Sequence, residues 1–410
     1  MLLEFSCKNH RSIRNEIVFS ALATSDSEHS ETLIDFDEKR FLRIAEIYGA
    51  NGSGKTSLLN AISQMQAIVI NSYNHQPGDN IIRFPHKLSM TELTEFICIF
   101  ERKGVKYSYQ FSYDETGIQS EGLFFWPNGR VTNIFERKVD SFDYGPKYLK
   151  YKEITQRKLK NNRLLLSVAA NDTDIPEITE AFLFFKEDIV IYPGVPNNWL
   201  EYTAKKLQND EKTRQEFIKI MHDAGSDLCD LITKFETRLP QEKEVNGIPE
   251  PLKKIFLSKP LNYIDIQIAY KDFSLNLNEE SSGIQKLFSF ICPLIHILDT
   301  NKVFLCDEIE TSLHPSVVNY FINKFQKNNS SKSQIIFTTH DTDLLDLNLV
   351  RRDEIWFTEM NPKNRETSLY SLAEIRNVRK DENVRKGYIS GKYGAIPMPN
   401  TDIQNLCKEK

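Results

Sequence analysis

Apolar residues recur along this chain with two different periods. Leu58, Ile62, Met65 and Val69 follow at spacings of four, three and four, which predicts a helix with one buried face. Just upstream, "RIAEIY" at 43–48 is a short apolar run that predicts a buried strand. Strict alternation appears in "KYSYQFSY", where Tyr107, Tyr109, Phe111 and Tyr113 are separated by polar residues. With "TEFICIF" before it, this predicts a half-buried antiparallel region. "LLEFSCKNHRSI" and "EIVFSAL" at the start predict a further pair of short strands. From about 145 to 260 the pattern turns polar and charged at helical spacing, as in "NDEKTRQEFIKIMHDAGSDL", with breaks at "YPGVP" and "NGIPEP". That stretch is expected to be a helical insertion, and heptads are not sustained in it, so a long coiled-coil arm is not expected. "IDIQIAY" and "FSLNLNEE" then return the chain to strands, and helix–strand alternation follows. No internal repeat or low-complexity tract is evident.

The resulting expectation is an α/β fold with an antiparallel β subdomain and a helical insertion. Four segments are expected: 1–145, with the glycine-rich loop; 146–260, the insertion; 261–375, a second lobe; and 376–410, a tail. A chain of 410 residues that is 40% hydrophobic can bury a large core and needs no staples. Cys7, Cys98, Cys229, Cys292, Cys306 and Cys407 are scattered without a C-x-x-C pair, as expected of reduced thiols in the cytoplasm. The start turns polar after six residues, and no window approaches a membrane span, so no membrane partner is expected.

Lys and Arg number 52 against 57 Asp and Glu, so the net charge exerts no general pull on nucleic acid. Any such contact must be local. The candidates are 147–163, with seven basic residues and one acid, Glu153, and the tail residues Arg376, Arg379, Lys380, Arg385 and Lys386. The first of these reads more readily as a solvated helix face.

The chemistry concentrates in three places. "GANGSGKTS", 49–57, matches G-x-x-x-x-G-K-[ST], with Gly49, Gly54, Lys55 and Thr56 in the fixed positions and Gly52 as an extra glycine. Glycines let backbone N–H groups converge on phosphate oxygens. Asn51, Ser53 and Ser57 belong to the same cradle, Lys55 reaches the β- and γ-phosphates, and the Thr56 hydroxyl ligates Mg²⁺. The second place is "NKVFLCDEIETSLHP", an apolar strand ending in Asp307 and Glu308. Asp307 is placed to share the Mg²⁺ with Thr56, and Glu308 to orient or deprotonate an attacking water. In the third, "SQIIFTTHD", a strand ends in His340, which can approach the γ-phosphate. Between them, "NEESSGIQKLFSFI" sets Ser281, Ser282 and Gly283 at a helix start, by itself only a capped helix.

Phosphate loop, S-S-G-I-Q, strand with Asp-Glu, then strand with His is the order seen in ABC-type ATPase heads. The chain resembles the SMC, RecF and OLD branch, of AAA_15 and AAA_21 type, and especially anti-phage defence ATPases of the RloA and AbiL types. "LLEFSCKNHRSI", "ESSGIQKL", "DEIETSLHP", "RRDEIWFTEM" and "YISGKYGAIP" carry the resemblance. It covers 1–130 and 260–400 and leaves the insertion unmatched. The resemblance implies ATP and Mg²⁺ as cofactors and a homodimer, or higher homo-oligomer, whose heads sandwich nucleotide. Ser282 and Gly283 would meet the γ-phosphate in trans, Glu308 would be the base, His340 the switch residue, and Arg11 a nucleotide contact. His314 stands where transporter-type heads carry an aspartate, and no Q-loop residue is evident, since Gln64 and Gln66 lie in the loop helix.

The function expected is an ATPase that senses DNA or a phage protein and controls a separate nuclease or toxin subunit in an abortive-infection system. The alternative is a DNA-repair or DNA-bridging ATPase of SMC or RecF type. A nuclease of OLD type would need a Toprim domain, and the 70 residues after His340 are too few for one. The insertion and the L-H-P sequence weigh against a transporter ATPase.

Overall fold

A computed structural model describes residues 1–139, 141–192, 197–245, 249–311, 315–327, 331–379 and 382–396. The chain divides into two compact units: Met1–Tyr192 with Ile297–Glu310 and Asn319–Lys410, and Pro193–His296 with Thr311–Val318.

The first unit is built on two sheets. Strands β1 (Leu2–Lys8) and β2 (Ile17–Ser20) join β6 (Thr94–Arg102), β7 (Val105–Asp114), β8 (Gly117–Trp126), β9 (Thr132–Lys138) and β10 (Ser141–Tyr144) in an antiparallel sheet of order β10-β9-β8-β7-β6-β1-β2. The alternation in β7 has its expected consequence: Tyr107, Tyr109, Phe111 and Tyr113 are all buried. A small hairpin of β3 (Ile34–Phe36) and β4 (Lys39–Phe41) leads into β5 (Ile44–Tyr48), of which every residue is buried.

The second sheet has the order β11-β15-β16-β5-β17-β18, from β11 (Ile189–Tyr192), β15 (Val303–Cys306), β16 (Gln334–Thr338), β5, β17 (Ile355–Met360) and β18 (Thr367–Ser371). All neighbours are parallel except β17 and β18. Helix α1 (Lys55–Asn71) follows β5 directly, with Leu58, Ile62, Met65 and Val69 buried as their spacing predicts. The main core gathers the apolar faces of the antiparallel sheet, α1, and α3 (Leu165–Asp172) with α4 (Pro176–Leu183), and reaches Val303, Leu305 and Ile336 of the parallel sheet. Strand, glycine loop and helix on a mostly parallel sheet make this an α/β fold of P-loop type, with the antiparallel part that the alternation predicts.

The second unit carries α5 (Asn197–Asn209), α6 (Glu211–Asp223), α7 (Glu250–Leu257) and the start of α8 (Ser282–Leu298). Its sheet is antiparallel in the order β12-β13-β14, from β12 (Asp230–Arg238), β13 (Leu261–Ala269) and β14 (Ser274–Asn276). The segment 146–260, expected to be helical, therefore departs from that expectation twice. It contains strands β11 and β12 as well as helices, and it is divided between the units, since α2 (Lys152–Lys158), α3, α4 and β11 belong to the first. The run "IVIY" of β11 is too short for periodicity to separate strand from buried helix; pairing with β15 decides it. Likewise 261–296, expected in the second lobe, clusters with the second unit. Among the described residues the longest helices, α1 and α8, have 17 residues each, and none is long and apolar enough to cross a membrane. The described cysteines are free thiols; Cys407 lies outside the described residues.

Candidate functional site

The glycine-rich loop runs from the end of β5 to the start of α1, in the first unit. Gly54 has φ 107°, in the left-handed region, and a Cβ there would collide with the Thr367 side chain of β18. A Cβ on Gly49 would lie 2.5 Å from the Thr358 carbonyl oxygen of β17. Both glycines are thus required by close approach to the strands behind the loop. Those strands also hold it by hydrogen bonds. Ser53 Oγ lies 2.6 Å from Thr358 Oγ1, and Thr367 Oγ1 donates to the Ser53 carbonyl at 2.9 Å and lies 2.8 Å from Ser12 Oγ. Ser53, expected in the phosphate cradle, spends its hydroxyl on this anchoring and is 2% exposed. Ser57, at the foot of α1, sits 2.8 Å from Ser12 through its hydroxyl.

Lys55 Nζ donates to the carbonyls of Gly49 at 2.8 Å and Ala50 at 3.3 Å. Burial lowers its pKa, and the carboxylates of Asp307, Glu308 and Glu310 pull it back up. The ammonium is therefore already set against the acidic end of β15. Thr56 Oγ1 donates to Asp307 at 3.0 and 3.2 Å. Asp307 also accepts from Thr338 Oγ1 at 2.5 Å, and Thr338 Oγ1 accepts the Glu308 N–H at 2.8 Å. Thr338 of β16 thereby fixes both carboxylate residues at the end of β15. Glu308 has φ 47°, a strained conformation for a non-glycine residue, and such strain clusters at functional sites. His340 follows β16, its N–H bound to Glu310 Oε1 at 2.6 Å.

These groups open onto one cleft of about 880 Å³, lined by the loop with Asn51, Gly52, Gly54, Lys55, Thr56 and Ser57, and by Glu308 and His340. Arg11 lines it too, with φ 53°, its N–H bound to the Phe84 carbonyl at 2.6 Å and its guanidinium 5.1 Å from the Phe84 ring centre. Three further contributions escaped the sequence reading: Ser12, the segment 83–90, and the turn 360–365 between β17 and β18, with Lys363, Asn364 and Arg365. The neighbouring basic and aromatic residues of "RFPHK" were the available signal. Among the described lining residues Arg11, Lys55, Arg83, Lys87, Lys363 and Arg365 face a single carboxylate, Glu308. The cleft is locally basic in a chain whose net charge is −5, which suits a polyanion. For Mg²⁺, Thr56 and Asp307 offer hard oxygen donors side by side. Such a pair fits an ion that keeps water and takes its other ligands from phosphate. No group of three or more potential metal-ligating side chains occurs among the described residues, and this mode needs none.

Ser282 and Gly283 belong to the second unit, where they open α8; Ser281 and Ser282 are exposed, and Ser281 Oγ caps the Ile284 N–H at 3.3 Å. His314 lies outside the described residues, as does Lys380. Neither glutamine of α1 lines the cleft. Gln66 Nε2 donates to the carbonyls of Phe185 and Ile189 at 2.8 and 2.9 Å, and Gln64 to that of Ile82 at 2.8 Å. The basic segment 147–163 is largely engaged within the first unit. Lys147 pairs with Glu177, Lys158 with Asp172 and Arg157 with Glu153, while Arg163 donates to the His75 carbonyl. In the tail, Arg385 pairs with Asp343 at 2.7 Å. Within "RRDEIWFTEM", Arg351 is 1% exposed, clasps Asp353 twice at 2.8 Å and donates to the carbonyls of Asp26 and Glu28.

Three solved structures are similar to this chain at low levels. An SMC head bound to the C-terminal winged-helix domain of ScpA has 13% identity and a TM-score of 0.42, over 90% of this chain and 97% of that one. The SMC head domain from Thermotoga maritima has 14% and 0.40, over 90% and 98%. A Smc head from Pyrococcus furiosus with an extended coiled coil has 10% and 0.37, over 90% and 96%. No curated protein matches the chain. Likenesses this weak support no conclusion, and the family match carries the assignment. The profile described as "AAA domain, putative AbiEii toxin, Type IV TA system" matches residues 44–346, from the strand before the phosphate loop to beyond His340. The chain therefore belongs to that family of AAA domains.

Proposed function

We propose that this protein is an ATPase that hydrolyses ATP between two copies of itself and serves as the sensor or regulatory subunit of a bacterial anti-phage system of abortive-infection type, like the RloA and AbiL ATPases it resembles. Its target would be a separate nuclease or toxin, and its trigger DNA or a phage protein. The observation that carries the enzymatic part is the linked set Thr56–Asp307–Thr338–Glu308 at the mouth of the phosphate loop.

In this reading the loop N–H groups and Lys55 hold the β- and γ-phosphates, and Arg11 adds charge to the same cleft. Thr56 and Asp307 would hold Mg²⁺, which would supply positive charge against the phosphates. Glu308, held by Thr338 beside Asp307, takes the proton of the attacking water, and His340 donates toward the γ-phosphate. Thr56, Asp307, Glu308 and His340 are all exposed. Charges in open water stabilise a transition state poorly, so a second surface that closes over them is needed. Ser282 and Gly283 of a second copy, at an exposed helix start, have the donors for that role.

Light scattering tests this. Glu308→Gln protein should gain mass with ATP and Mg²⁺, Ser282→Arg should abolish the gain, and Glu308→Gln should slow phosphate release about 10²- to 10⁴-fold. A mass indifferent to nucleotide and to Ser282→Arg would sink the two-copy mechanism.

The family's description as a putative toxin favours a second reading, in which this chain is itself the toxic agent. Expression alone separates the two. Growth arrest that depends on Lys55 makes the chain the toxin, whereas unimpaired growth supports a regulatory subunit.

A further inference from the structure

The phosphate loop accounts for only part of the cleft's lining. Residues 83–90 and the turn 360–365 supply much of the remainder. Residues 83–92 form neither helix nor strand, yet they are firmly held. Asn9 Nδ2 donates to the carbonyls of Ser89 at 2.9 Å and Glu92 at 2.8 Å, and Asn9 Oδ1 accepts the His86 N–H at 2.9 Å. Arg14 Nε reaches Ser89 Oγ at 3.1 Å, and Arg11 N–H reaches the Phe84 carbonyl at 2.6 Å. His86 Nε2 lies 3.3 Å from the Arg365 carbonyl, joining the segment to the facing turn. Asn9 and Arg11 both hold φ 53°, a strained state that persists only where surroundings enforce it.

This rigid segment displays apolar side chains. Phe84 is 41%, Leu88 58% and Met90 43% exposed, and all three line the cleft with Met360. Phe84 packs against the His10 ring and the Arg11 guanidinium, and its remaining surface, with that of Leu88 and Met90, is left uncovered by the fold. Beside a phosphate site they supply what the rest of a nucleotide lacks, since an aromatic face and aliphatic edges suit a planar base.

We propose that 83–90 is the nucleoside half of the cleft and that a purine base stacks on Phe84, between Leu88 and Met360. This rests on the reading of 49–57 as the phosphate site. Stacking accepts any π-face, and reading guanine by its N1–H and N2 donors calls for a facing acceptor such as a carboxylate. Glu308 is the one carboxylate among the described lining residues, and it stands beside Asp307, at the phosphate end. Phe84 therefore sets affinity without choosing between adenine and guanine.

Calorimetric titration of the full chain with ATP, GTP and inorganic tripolyphosphate, each with Mg²⁺, decides it. Phe84→Ala should weaken ATP and GTP in parallel by about 5- to 150-fold, the range of base–aromatic stacking, and leave tripolyphosphate unchanged. Phe84→Tyr should restore both nucleotides, and an unaltered melting temperature should accompany each variant. The platform is refuted if Phe84→Ala leaves ATP affinity intact, or weakens tripolyphosphate as much as ATP. A loss on Phe84→Ala that differs several-fold between ATP and GTP would refute its indifference to the base. Lys55→Ala separates the two readings: tripolyphosphate binding that survives it refutes the phosphate site itself, whatever Phe84 does.

Discussion

The two units stabilise their charged and apolar groups in opposite ways. In the first, charged groups are enclosed within hydrogen-bonded networks. Glu121, sealed inside the core, accepts the N–H groups of Leu165 and Leu166 at the start of α3 at 2.7 and 2.8 Å, and the Tyr109 hydroxyl at 2.9 Å. Arg351 and Asp353 are enclosed with equal completeness. In the second unit, β12 is exposed along most of its length, with Ile232 and Phe235 open to solvent. Its ion pairs, such as Arg214 with Asp230, stand at the surface. Buried pairs fix geometry because breaking one leaves a charge without water, whereas surface pairs exchange with solvent at little cost. The unit that must hold a phosphate loop to fractions of an ångström is the one with buried networks. The unit that bears the exposed helix start packs its own apolar residues, such as Phe217, Met221, Ile268 and Phe288, but its ion pairs are surface ones, weak and replaceable.

Arg351→Ala should show the largest effect. It strands Asp353 and the carbonyls of Asp26 and Glu28, and should cost about 3–5 kcal/mol, read as a fall in the denaturant midpoint. A loss near that of a surface pair would erase the contrast between the units.

An intermediate effect depends on pH. Glu354, fully buried beside Arg351, has its pKa raised to about 8 by desolvation, while Glu46 of β5 is also pushed up by burial. A carboxyl whose folded pKa lies above its unfolded value keeps its proton longer when folded. Between the unfolded value, near 4.5, and about 8 the unfolded chain holds fewer protons, so this group lowers stability as pH rises and has no further effect above that window. Glu354→Gln should remove that contribution: melting curves of variant and wild type, compared from pH 5 to 8, should diverge in the variant's favour as pH increases. Parallel curves would show that Glu354 is ionised in the folded protein.

Arg214→Ala, in the second unit, should change stability by no more than about 1 kcal/mol, and less at high salt. A larger loss would place a buried-type network in the second unit after all.

The phosphate loop was legible because its chemistry is local: glycines at fixed offsets, a lysine and a hydroxyl residue between an apolar strand and a periodic helix. Asp307 and Glu308 were legible for the same reason, as acids ending an apolar run. The cleft's other wall was not. Phe84, Lys363 and Arg365 come from segments about 30 and 310 residues away from the loop, and no periodicity joins them. Thr358 and Thr367 were equally silent, ordinary strand residues until β17 and β18 pack behind the loop. The helical expectation for 146–260 failed at β11 because a four-residue apolar run acquires its identity from the strand beside it.

Local covalent order thus set the elements that carry phosphate chemistry, since an α1 period, a glycine's freedom and an acid's charge reside in neighbouring residues. Which strands flank β5, how Glu308 comes to φ 47°, and which aromatic and basic side chains complete the cleft depend on contacts between distant segments. Those contacts form only when the sheets pack, because hydrogen bonding and burial are satisfied over the whole fold and not within any one stretch of chain.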